Sequence, residues 1–152
     1  MDMNDVLSNP ELYRAMLLGL IISLVIRFFY CRSIRNLLRL IHPENRFLEP
    51  KHAWLAMIPV FNIYWNFVLA SRISNSLNNE FYDRKIAEEE RPGLSAGLLY
   101  AVFVVLTNIP LGTMYIGIFG LLTIFHFIRY WVKVENFRAL LVEHNRFKNE
   151  TP

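Results

Sequence analysis

Residues 52–71 read HAWLAMIPVFNIYWNFVLAS, a stretch without a single Asp, Glu, Lys or Arg. About twenty apolar residues at 1.5 Å each match the roughly 30 Å of hydrocarbon in a bilayer. Pro59, Asn62 and Asn66 interrupt the run. Pro59 removes one backbone donor and is expected to kink the helix. Asn62 and Asn66 stand four apart and so share a helical face, where amides can bond a neighbouring helix. Interhelix packing is the simpler reading of the pair, and a polar lining for a small ligand or ion is the sharper one.

Working outward, three more apolar blocks appear, at about 12–30, 94–109 and 113–131. The whole chain has 152 residues, 54% hydrophobic and 19% charged. Soluble domains usually carry about 25% charge, spread more evenly. The reading is therefore an all-α integral membrane protein, a single membrane domain over 1–152 built as a four-helix bundle. No positively charged leader or small-residue cleavage site surrounds the first block, so it is expected to remain as an anchor.

In that first block Gly19 and Ser23 place two small side chains on one face, a close-approach surface for another helix. Arg27 lies one step further along the same face. Snorkelling to the headgroups is its simpler role, and a buried functional charge the alternative. Residues 31–41, CRSIRNLLRLI, set Ile34, Leu37, Leu38 and Ile41 on a stripe away from Arg32, Arg35 and Arg39. This pattern suits a basic amphipathic helix lying in the interface, its arginines on anionic lipid headgroups. A plain continuation of the first helix fits equally. Pro43 and Pro50 then break the helix.

Beyond residue 71, Ile73, Leu77 and Phe81 carry an apolar edge onward, which predicts a helical extension of the second span. A solvated linker is expected over 84–93. The last two blocks form a hairpin around Pro110–Gly112, with Gly117 and Gly120 as further close-approach points. Thr123 and His126 fall on one polar arc of the fourth helix, which should face protein or water. For His126 a hydrogen-bonded packing role is simpler than proton handling. A helical tail over 132–147 keeps an apolar edge at Val134, Phe137 and Leu141.

Charge placement divides on orientation. With four crossings, one side holds Arg14, Arg72, Arg84, Lys85, Arg91, Arg129, Lys133, Arg138, Arg146 and Lys148, and the other Arg32, Arg35, Arg39, Arg46 and Lys51. The positive-inside rule then puts both termini in the cytoplasm. If instead the Pro59 segment dips in and returns, every basic loop is cytoplasmic and only the N-terminus lies outside. The absence of Gly from 52–71 speaks against a re-entrant turn, and four spans are expected.

No zinc-type HExxH pair, Gly-rich phosphate loop or nucleophile with a partner base is present. The four histidines lack metal-ligand spacing, and Cys31 alone permits no internal disulfide. The net charge of +3 belongs to topology, and nucleic acid is not an expected partner. No cofactor and no catalytic or metal residues are therefore expected. No Asp or Glu lies inside an apolar block, which weakens a cation-coupled carrier.

The phrases IHPENRFLEP, WLAMIPVFN and SLNNEF, within residues 41–81, resemble a group of small bacterial inner-membrane proteins. Those share a P-x-N-R loop, a W-L-x-x-I-P-x-F-N helix and an S-L-x-x-E-F extension. The resemblance implies a bacterial inner (plasma) membrane and a unit centred on Pro59 and Asn62; it brings no activity or cofactor. The expected function is a non-enzymatic scaffold or accessory subunit, with a membrane protein partner or a homo-oligomer. An oligomeric small-solute or ion pathway is the alternative.

Overall fold

The computed structural model describes residues 9–86, 89–110 and 112–150, which are helical or irregular with no strand among them. Residues 87 and 88 of the expected linker lie outside that set. Helix α1 spans Pro10–Leu40. Asn9 caps it by accepting from the Glu11 and Leu12 amides, with Pro10 at the first position and Glu11 in the first turn. It ends before Pro43, which holds His42 in an extended conformation.

Residues 31–41 are thus the upper end of α1, continuous with the first apolar block, and not a separate interfacial helix. Their apolar stripe does not meet lipid either. Ile34, Leu37 and Leu38 are fully enclosed, packed with Leu69, Ile73, Leu77, Phe81, Val134, Phe137 and Leu141. A stripe that finds protein partners over its whole length has no apolar surface left for an interface.

Residues 52–71 are not one helix. A 3-10 segment runs over Pro50–Met57, and α2 begins only at Phe61 and continues to Arg84. Between them Ile58 is extended, as its neighbour Pro59 demands. Val60 has φ 64° and ψ −50°, and the Phe61 amide bonds Pro59 O at 2.7 Å. That is the rare, strained γ-turn, held here by a β-branched residue. The expected kink is therefore a complete reversal, achieved without glycine. Val60 is 79% exposed, so its side chain contributes little burial. Val60→Gly relieves strain of about 1–3 kcal/mol against an entropic cost of about 1. A net gain of up to about 2 kcal/mol is expected from thermal unfolding in detergent.

The reversal sets the direction of α2. Trp65 Nε1 donates to His52 O at 3.1 Å, so the 3-10 segment and α2 lie antiparallel. At the upper end Arg84 donates to Leu40 O, while Phe28, twelve residues below Leu40, packs against Trp54 in a tilted pair at 5.2 Å. Helices α1 and α2 therefore rise side by side in the same sense. Helix α3, Leu94–Asn108, descends, and α4, Thr113–Glu150, climbs back. Thr107 opposes Thr123, Gly97 abuts Ala70 and Tyr130, and Arg84 reaches Asn145.

Two zones result. In the upper zone α1, α2 and α4 share the enclosed core, and the expected extensions beyond residues 71 and 131 are helical. In the lower zone α1 and α4 present long apolar surfaces. Both are long and apolar enough to cross a membrane, and none of α1's most apolar window is buried. That exposure is opposite to what a soluble core helix shows. Helix α3 is apolar but spans about 22 Å.

Candidate functional site

In the lower zone the facing sides of α1 and α4 leave a groove of about 490 Å³. Helical spacing brings Gly19, Ser23 and Arg27 to it from α1, and Thr123 and Trp131 from α4, with Tyr100 of α3 at its floor. The remaining walls are Ile and Phe side chains. A Cβ placed on Gly19 meets nothing within 4 Å, so this small-residue face is open. Arg27 makes no ion pair among the described residues. Arg27 stands next to Phe28 near the end of the apolar block, where a long cationic side chain can also reach outward.

The other polar residues of the apolar blocks pack within the chain. Asn66 is buried against the Tyr100 hydroxyl, and Asn62 is buried beside the reversal. The hydroxyls of Thr107 and Thr123 lie 2.8 Å apart, each also 2.7 Å from the carbonyl four residues earlier. His126 stacks on Phe103 at 4.8 Å, its Nδ1 enclosed with no hydrogen-bond partner among the described residues. Of Asn62, Asn66, Thr123 and His126, only Thr123 lines the groove. Pro59 is exposed at the reversal.

Within the chain, the expected close-approach glycines meet no neighbouring helix. Gly117 and Gly120, like Gly19, have open space where a Cβ would stand. Gly97 is the tight one, its Cβ position 2.7 Å from Ala70 Cβ and 2.9 Å from Tyr130. Tyr30, Tyr100, Phe127, Tyr130 and Trp131 form an aromatic layer joining α1, α3 and α4, of which Tyr100, Phe127 and Trp131 also line the groove. Trp131 Nε1 anchors it by donating to Ser33 Oγ at 3.0 Å.

Two polar sites lie in the upper zone. Arg35 and Arg39 of α1 face Arg46 and Lys51 across a cleft of about 670 Å³, while Arg32 is exposed outside it. The second is a knot around Glu80, which is 2% exposed. Glu80 accepts from the His42 amide, Asn45 Nδ2 and Arg84 Nε, all within 2.9 Å. Burial pushes its carboxyl up, but those three donors outweigh burial and hold it below the usual range. Sequence reasoning passed over this pair. Its signal was present in the spacing, since Leu77, Glu80 and Arg84 continue the buried face of α2 at i, i+3 and i+7.

Among the described residues no group of three or more His, Cys, Asp or Glu side chains is arranged to hold a metal ion. No family model matches the chain, and no curated protein or solved structure is found to resemble it.

Proposed function

We propose that this protein is a non-enzymatic membrane scaffold, an accessory subunit whose α1–α4 groove receives a transmembrane helix of a different protein. In this reading α1, α3 and α4 cross the bilayer and the Pro59 reversal is a re-entrant hairpin. Arg27 and Arg14 apart, every Lys and Arg then lies on the upper, cytoplasmic side of a bacterial inner membrane, with the N-terminus outside. This arrangement satisfies the positive-inside rule better than four crossings, which leave five cations on the wrong side.

The observation that carries the reading is the half-built bundle. The upper zone has a closed core, whereas below it α1 stands uncovered beside an open Gly19/Ser23 face and an unpaired Arg27. Small residues let a partner backbone approach, and a carboxylate or free carbonyl on that partner can meet Arg27. A second copy of this chain is the poorer candidate, because no apolar block carries an acid. The solute-pathway alternative loses support because its four polar residues do not line a common space.

Gly19→Leu provides the test, since a Cβ at Gly19 meets nothing within 4 Å in the chain itself and the longer side chain enters the groove. Native mass spectrometry after gentle extraction is expected to show a second protein at fixed stoichiometry. Gly19→Leu should lower its retention by at least about ten-fold, equivalent to 1.4 kcal/mol, with unchanged thermal stability. A homo-oligomer accompanied by solute leak in vesicles, or a complex indifferent to Gly19→Leu, overturns the reading.

A further inference from the structure

The cleft in the upper zone is strongly cationic. Four cations and one acid line it: Arg35 and Arg39 from α1, then Arg46, Glu49 and Lys51 from the returning loop. Lys51 is already neutralised by Glu49 at 2.7 Å. Arg46 is fixed in place, its Nε donating to Ile41 O at 2.8 Å and its second nitrogen to Arg39 O at 3.1 Å. Those bonds also cover carbonyls at the C-terminal end of α1, whose negative end would otherwise repel an anion. Pro43 and Pro50 stiffen the loop at either end. Three arginines therefore line one cleft, and no ion pair among the described residues occupies them.

The cleft's position identifies its occupant. At spacings of three and four residues, Arg39, Arg35 and Arg32 continue downward into Phe28, Val25 and Ile21 on one face of α1. All three apolar residues are exposed. Trp54 packs against Phe28 in a tilted pair, a position that fits an interfacial aromatic belt. Arg35 stands seven residues above Phe28, about 10 Å, the height of a phosphate plane over the start of the acyl chains.

We propose that this cleft binds one phospholipid bearing two phosphate groups, its headgroup on Arg35, Arg39 and Arg46 and its acyl chains along Phe28, Val25 and Ile21. A single phosphate leaves most of the convergent charge unmet, whereas two can each take a guanidinium fork. The proposal rests on the membrane placement given under the proposed function, and not on the partner helix.

The test has two stages. Flotation of the reconstituted protein with phosphatidylcholine vesicles after alkaline washing reads the membrane placement alone, and a protein that stays at the bottom overturns both readings. For protein that floats, native mass spectrometry in detergent with added diphosphatidylglycerol or phosphatidylglycerol reads the site. One diphosphatidylglycerol per chain is expected to remain bound in preference to phosphatidylglycerol at equal mole fraction. Arg35→Gln with Arg39→Gln should reduce its retention about 30-fold, the combined attraction of two surface cations. The exposed Arg39→Glu alone serves where the double variant unfolds, and Arg14→Gln at the far end of α1 should change nothing. Equal retention of the two lipids, or a double variant that holds diphosphatidylglycerol as the wild type does, overturns the site.

Discussion

Gly97→Ala should destabilise the protein by about 1–3 kcal/mol, the usual cost of overpacking, although alanine is the better helix former. The two effects oppose each other, so the sign is informative. In an exposed helix the exchange gains about 1 kcal/mol. At Gly97 the new Cβ would stand 2.7 Å from Ala70 Cβ and 2.9 Å from the Tyr130 ring. Neither neighbour can yield. Ala70 has no side-chain rotamer to change, and Tyr130 is packed against Tyr30 and Tyr100 in the aromatic layer. Helices α2 and α3 must separate instead. The measurement is thermal unfolding in detergent of Gly97→Ala, Ala70→Gly and the double variant. Coupling is expected, with Ala70→Gly restoring part of the loss because it removes the nearest atom. A Gly97→Ala variant as stable as the wild type would show that α2 and α3 do not approach this closely.

Gly97 also shows where the sequence was legible and where it was not. The helical class, the apolar blocks and the extensions at Ile73–Phe81 and Val134–Leu141 could be read because side-chain periodicity records which face is buried. Gly19, Gly117 and Gly120 are the glycines the sequence singles out and Gly97 is not, because a glycine's spacing does not reveal what lies opposite it. Tertiary pairing decides that, and only Gly97 among them is crowded. Arg32, Arg35 and Arg39 were correctly separated from the stripe of Ile34, Leu37, Leu38 and Ile41. The stripe's partner was misjudged, since protein and lipid satisfy the same apolar pattern. Residues 52–71 misled for a related reason. Hydropathy measures transfer to an apolar medium and says nothing of backbone path. The reversal at Pro59 depends on Val60 at positive φ, a conformation that β-branched residues rarely adopt and that no turn signal announces. Glu80 and Arg84 stand at helical spacing, but Glu80 draws no reading and Arg84 falls at the start of the solvated linker, because spacing alone does not show that two charges share a buried face.

Removing that pair's carboxylate should be the most damaging single change in the upper zone. Glu80→Ala is expected to cost about 3–5 kcal/mol, because breaking a buried pair leaves its partner charge uncompensated. Arg84 would keep its contacts to Leu40 O and Asn145 but lose the 2.6 Å ion pair. The His42 amide would lose its acceptor and Asn45 would keep only Asp83, so the loop that carries the cationic cleft would loosen with it. Glu80→Gln keeps an acceptor and should cost less, which separates lost charge from lost hydrogen bonding. Replacing both members together, Glu80→Leu with Arg84→Met, should cost less than Glu80→Ala if the uncompensated Arg84 is the main penalty. The same group gives the upper zone an acid sensitivity of defined sign. Its folded carboxyl titrates below its unfolded value of about 4.3, so it binds a proton less readily when folded. Its contribution is therefore complete above that unfolded value and is lost as pH falls through the lower, folded one. Unfolding measured between pH 7 and pH 3 should show wild-type stability declining in the acid limb, with Glu80→Gln flatter there because it has no carboxylate to protonate. Parallel acid limbs for the two proteins would place the sensitivity in other carboxylates, leaving Glu80 a structural acceptor only.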